Sequence, residues 1–109
     1  MTDELTFRSE GTTLTASPTC EIDHHTSRLL RQRIDRMLFL HKPEILVMDF
    51  SGVRFMDSSG IALILGRLDK AESIGATLRV VGLSDALMKL VRLSGIERMK
   101  NISVSRSAK

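Results

Sequence analysis

A chain of 109 residues has room for one hydrophobic core and not for two, so residues 1–109 are expected to form a single domain. Its 42% hydrophobic and 27% charged residues are ordinary for a globular protein, one cysteine (Cys20) excludes an internal disulfide, and the absence of Trp and Tyr leaves no stacking platform for single-stranded nucleic acid. The net charge is a modest +3, no run approaches the roughly 18 apolar residues of a membrane span, and the opening MTDELTFRSE is acidic and polar where a secretion signal is basic and then apolar; direct nucleic-acid and membrane partners are not expected, and the cytoplasm is.

Residues 5–8 and 12–17 alternate and are rich in Thr, as two short strands are, with Ser9-Glu10-Gly11 as the turn and Gly11 supplying a positive φ. Pro18 ends the second strand or forces it to an edge. The polar stretch of residues 19–26 follows, in which Asp23 or Thr26 is the expected N-cap. From Ser27 to about Leu40 the apolar Leu30, Ile34, Met37 and Leu38 share one helical face, and Arg28, Arg31, Gln32, Asp35 and Arg36 fall away from it. Much of the positive excess lies in Arg28, Arg31, Arg33 and Arg36 with Arg106 and Lys109. A solvated helix face accounts for it first, and an acidic partner or nucleic acid second.

Pro43 stops this helix and leads into a central strand at about 44–50, where Ile45-Leu46-Val47-Met48 reads as a strand buried on both faces. Ser51-Gly52 is a turn and Val53-Arg54-Phe55 is extended. The tetrad Asp57-Ser58-Ser59-Gly60 then hands over to a second helix, whose Ile61, Ile64, Leu65, Leu68 and Ala71 recur three and four apart, with Gly75 as its C-cap. Thr77–Val81 is another strand. Ser84 caps a third helix over 85–93, with Leu87, Leu90 and Val91 inward and Gly95 at its end, and a last strand covers about 99–104. The order ββαβαβαβ predicts a mixed, mostly parallel sheet covered by helices through right-handed crossovers.

The tetrad is the point where chemistry is expected, because a strand-to-helix junction presents backbone N–H groups and the positive end of the helix dipole. A serine hydrolase elbow reads Gly-x-Ser-x-Gly, but Met56 stands two before Ser58 and no oxyanion loop is evident. A phosphate-binding loop needs more glycines and a following Lys, and none follows until Lys70. Capping alone needs one polar residue; three in succession between apolar runs suggest in addition a hydroxyl offered to a kinase. His24 and His25, with Asp23 and Cys20 nearby, invite a metal, but adjacent histidines at a helix start do not readily ligate one ion, and His41 stands alone. No metal and no cofactor is expected.

FMDSSGIALILGR, with EIDHHT before the first helix and RLSGIERM after the third, resembles the anti-sigma factor antagonists, the sporulation-type members of the STAS domains, over about residues 5–103. The resemblance implies an α/β STAS-type fold, with a small, mostly parallel sheet and helices packed mainly on one face. It implies a non-enzymatic regulator of transcription that, unphosphorylated, binds an anti-sigma factor serine kinase and so frees a sigma factor. The kinase then phosphorylates the serine after the Asp of the tetrad, here Ser58, and a PP2C-type phosphatase restores it. Asp23 matches a position implicated in kinase contact. Asp57, Ser59, Gly60 and Ile61 are the other expected partner-binding residues, with Asp57 and Gly60 also shaping the turn and Ile61 either buried or an exposed anchor. A stress-response antagonist or scaffold component is the alternative within the same family. Relatives commonly continue into another helix after the last strand; this sequence ends in Ser-Arg-Ser-Ala-Lys, and less cover for one sheet face is expected.

Overall fold

The structure, a computed structural model, describes residues 4–107. The Thr-rich alternation of the N-terminal region forms a hairpin of β1 (Leu5–Glu10) and β2 (Thr13–Pro18). β1 runs two residues further toward the turn than its patterning suggests and β2 starts one residue later, because the turn is made by Gly11 and Thr12, with Gly11 at φ +58°. Pro18 is the last residue of β2, beyond the Ala16–Met48 pair where the ladder to the next strand ends, so its missing N–H interrupts nothing.

Alternating helices and strands follow: α1 (His24–His41), β3 (Ile45–Asp49), α2 (Ser58–Ser73), β4 (Thr77–Val81) and α3 (Asp85–Ser94), then a single 3₁₀ turn, Ile96–Arg98, and β5 (Ile102–Val104). The last strand is shorter than its apolar pattern implied. The 3₁₀ turn and Asn101, at φ 65°, take up the residues before it. Gly75 lies just beyond the C-cap of α2, which is Ile74.

The sheet order is β1-β2-β3-β4-β5, with β1 antiparallel to β2 and every later pair parallel. Each crossover steps to the next strand in the same direction, and right-handed connections of that kind put their helices on one face. Burial agrees: Leu14, Ala16, Leu46, Met48, Leu78 and Val80 lie in the core, whereas their neighbours Thr13, Thr15, Thr77 and Arg79 are half-buried or exposed. The helices complete that core with Leu30, Ile34 and Leu38 of α1, Leu63, Ile64 and Leu68 of α2, and Leu87, Met88 and Val91 of α3. Because β2 and β3 are parallel neighbours, the loops leaving their carboxyl ends are neighbours too, and these loops start α1 and α2.

After β5 the chain keeps pairing: the amide of Ser105 donates to Val80, that of Leu83 to Ser105 and that of Gly82 to Ser107. Arg106 reaches Asp85 at 3.2 Å. The expected change in sheet cover from the terminal residues falls partly on 108–109, outside the described residues.

Candidate functional site

The two loops are joined by one parallel bridge between Ile22 and Met56. The amide of Ile22 donates to the Phe55 carbonyl (3.0 Å) and the amide of Asp57 to the Ile22 carbonyl (3.1 Å). Ile22 and Met56 are both buried, which anchors the bridge in the core. The residue after each is a helix N-cap, Asp23 for α1 and Asp57 for α2, so the two caps are neighbours along the backbone at the carboxyl end of the sheet.

Asp23 resolves the choice of cap that its sequence left open. Its Oδ1 accepts from the amides of His25 and Thr26, both at 2.9 Å, while the Thr26 hydroxyl accepts from the Asp23 amide at 3.0 Å. Asp23 is thus the cap and Thr26 its reciprocal partner in a capping box, and the helix begins three residues before Ser27. The Thr26 amide holds the Asp23 carboxyl below the usual carboxylate range, with a further contribution from the amide of His25. Asp57 Oδ1 accepts from the amide of Ser59 at 2.8 Å, and its carbonyl accepts from the amide of Gly60.

Ser58 opens α2 with its side chain exposed, and its hydroxyl makes no hydrogen bond among the described residues. Ser59 is half-buried and turned toward α1. Ile61 is half-buried against the core, between the two alternatives its position allowed. Gly60 is buried. A Cβ there would stand 2.5 Å from Sδ and 3.2 Å from Cβ of Met56, so the missing side chain makes room for the bridge residue itself. Phe55, just before the bridge, is 52% exposed. With the Ser59 and Gly60 amides already bonded to Asp57, what the turn offers an anion on Ser58 is mainly the helix dipole.

Between the first turns of α1 and α2 lies a groove of about 280 Å³, lined by His24, Ser27, Arg28, Arg31, Ser59, Ala62 and Leu63. One turn further along both helices lies a buried ion pair: Arg67 of α2, 3% exposed, holds Nε 2.8 Å from Oδ1 of Asp35 on α1. The contact is off the hydrogen-bonding line, and Arg67 Nη1 is buried with no partner among the described residues. Burial pushes the Arg67 guanidinium down, Asp35 draws it back up, and the charge of Arg31 pushes it further down. Sequence reading missed the Arg67–Asp35 pair, since Arg67 sits beside the apolar stripe it was measured against; Arg28 and Arg31 are exposed, as a solvated face requires, and their spacing from His24, four and seven residues along a helix, is the signal that one line of α1 carries all three.

Among the described residues no three His, Cys, Asp or Glu side chains converge as metal ligands, and no helix is long and apolar enough to cross a membrane. Cys20 is half-buried, and burial, reinforced by the charge of Glu4, pushes its thiol pKa up.

Residues 6–107 match the family model described as STAS domain. The chain is 32% identical over 82 residues to the anti-sigma F factor antagonist of Paenibacillus polymyxa, covering 75% of this chain and 70% of that one. It is 30% identical over 76 residues to the anti-sigma F factor antagonist of Lysinibacillus sphaericus, covering 70% of this chain and 65% of that one. Among solved structures it is similar to the anti-sigma factor antagonist SpoIIAA in its unphosphorylated form, with a TM-score of 0.77 and 24% identity over 92% of this chain and 86% of that one. The phosphorylated form of the Bacillus cell fate determinant SpoIIAA gives a TM-score of 0.70 and 24% identity over 92% and 89%. At that identity the structural likeness is one of fold.

Proposed function

Because the chain belongs to the STAS domain family, we propose that it is an anti-sigma factor antagonist, a cytoplasmic, non-enzymatic regulator that binds an anti-sigma factor serine kinase and releases the sigma factor that kinase holds. Ser58 is the phosphoacceptor, and a PP2C-type phosphatase reverses the modification. The observation that carries this reading is the exposed, unbonded Ser58 hydroxyl on the first residue of α2, directly after its Asp57 cap and beside the Asp23 cap of α1.

Phosphorylation at Ser58 adds a charge of about −1.5 to −2 and three acceptor oxygens. The dipole of α2 favours that charge locally, so the helix stays folded. Toward a docked partner the effect is the opposite: the phosphate stands with the carboxylates of Asp57 and Asp23, and a hydrated dianion resists burial in an interface. Asp23, Ser59 and Ile61 contribute contacts, while Gly60 acts by letting Met56 pack and so setting the turn.

Incubation with the cognate kinase and ATP is expected to raise the intact mass by one phosphate, and Ser58→Ala to abolish the increase while retaining binding. Ser58→Asp is expected to lose kinase affinity with an unchanged circular dichroism spectrum. An acidic variant that binds as tightly as the wild type defeats the proposal.

A further inference from the structure

The cationic groove beside the acceptor turn has no part in the scheme above. It runs along α1 from His24 to Arg31, seven residues and so about 10 Å, and its far wall is Ser59, Ala62 and Leu63 of α2. Neither helix has an acidic residue in its first turn. Arg28 and Arg31 form no ion pair among the described residues, and Asp35, one turn beyond Arg31 on α1, is engaged by the buried Arg67. The Arg67–Asp35 pair, one turn beyond the groove's lining, is neutral as a unit, so the positive charge of the groove is that of Arg28 and Arg31.

Charge complementarity therefore calls for an anion, and the shape selects its kind. The leading amides that would cradle a compact phosphate are already taken: His25 and Thr26 donate to Asp23, and Ser59 to Asp57. What remains is two guanidinium groups one turn apart, whose planar forks match carboxylates, the hydroxyl of Ser59, and an apolar wall of Ala62 and Leu63 suited to the methylene stems of glutamate.

We propose that this groove is the docking slot for an acidic segment of the partner protein, with Arg28 and Arg31 as counter-charges to two of its carboxylates. The inference rests on the partner-binding function proposed above and extends it to the chemistry of the partner's contact. It also gives phosphorylation a second action. A dianion on Ser58, next to Ser59 at the mouth of the slot, repels the incoming carboxylates and screens the arginines that would hold them.

The test uses the full chain, wild type and the charge-reversed Arg28→Glu/Arg31→Glu double variant, with Arg28→Ala/Arg31→Ala as a milder second. Both positions are exposed on α1, and circular dichroism checks folding. Kinase affinity at low and high salt is expected to fall about tenfold or more in the reversed variant and to lose much of its salt dependence. Unchanged affinity and salt dependence in both folded variants overturns the slot while leaving the function standing. Wild-type chain that fails to bind the kinase defeats the function instead, and a second arm then decides on the slot. In amide chemical-shift titrations, hexaglutamate is expected to move residues 24–31 and 59–63 in the wild type and not in the reversed variant. Equal shifts in both, no shifts, or shifts with inorganic phosphate but not with hexaglutamate overturn the proposal.

Discussion

Gly60 and Asp23 show how single residues set the site. At Gly60 a methyl group meets Met56, and the displaced methionine is one of the two buried residues of the bridge that joins the two loops. Gly60→Ala is expected to destabilise the chain by about 1–3 kcal/mol, the usual cost of overpacking, measured by urea denaturation, and to weaken partner binding more than an exposed α2 substitution of equal stability cost does. Asp23 acts through its charge. Its native pKa is lowered by the amides it caps, while in the unfolded chain it titrates near about 3.9. Its contribution is therefore fully present above the unfolded value and is lost as pH falls through the lower native one. Asp23→Asn keeps an acceptor but cannot ionise, so its acid unfolding below about pH 4 is expected to be less steep than the wild type, followed by circular dichroism. Sequence could name Asp23 and Thr26 as rival caps because both residue types cap helices; only the fold shows that they serve one box together. The tetrad drew notice because it is polar where apolar runs flank it, and the choice of Ser58 within it came from the family resemblance.

The elements themselves were written in periodicity, and the order ββαβαβαβ followed from it. The differences arise where backbone geometry overrides apolar content, as at Asn101 and the 3₁₀ turn ahead of β5. The seam between α1 and α2 was not legible, since its Arg67–Asp35 pair joins residues 32 apart in sequence, and nothing local marks one arginine as buried. Such a pair is costly to break and cheap to replace. Arg67→Ala, which strips Asp35 of its counter-charge, and Asp35→Ala, which leaves a buried guanidinium alone, are each expected to cost about 3 kcal/mol. Arg67→Met combined with Asp35→Leu is expected to recover most of that loss. A double-mutant cycle in urea checks the coupling.

For the molecule as a whole, the radius of gyration of 12.5 Å is close to the roughly 13 Å of a compact chain of this length, and the helices lie over one face of the sheet. The hydroxyl of Ser58, the acceptor we propose, stands outside that core, at the carboxyl end of the parallel strands. Its modification touches no buried residue, so the phosphorylated chain is expected to unfold at a urea midpoint within about 0.5 kcal/mol of the unmodified one while its kinase affinity drops. A midpoint shift comparable to that of Gly60→Ala sinks the separation of binding from stability. This part of the design was legible only as far as the strand-to-helix junction; the pairing of one junction with another came from the parallel neighbours β2 and β3, a relation between segments that no local pattern carries.

The Ile22–Met56 bridge turns two distant stretches of chain into a single facet. Under the function proposed above, a mark written on one stretch and a contact made by the other are held at fixed spacing, with no lever or hinge between them. A regulator pressed against that facet meets the changed group and its surroundings together, and the message passes without any part of the domain having to travel.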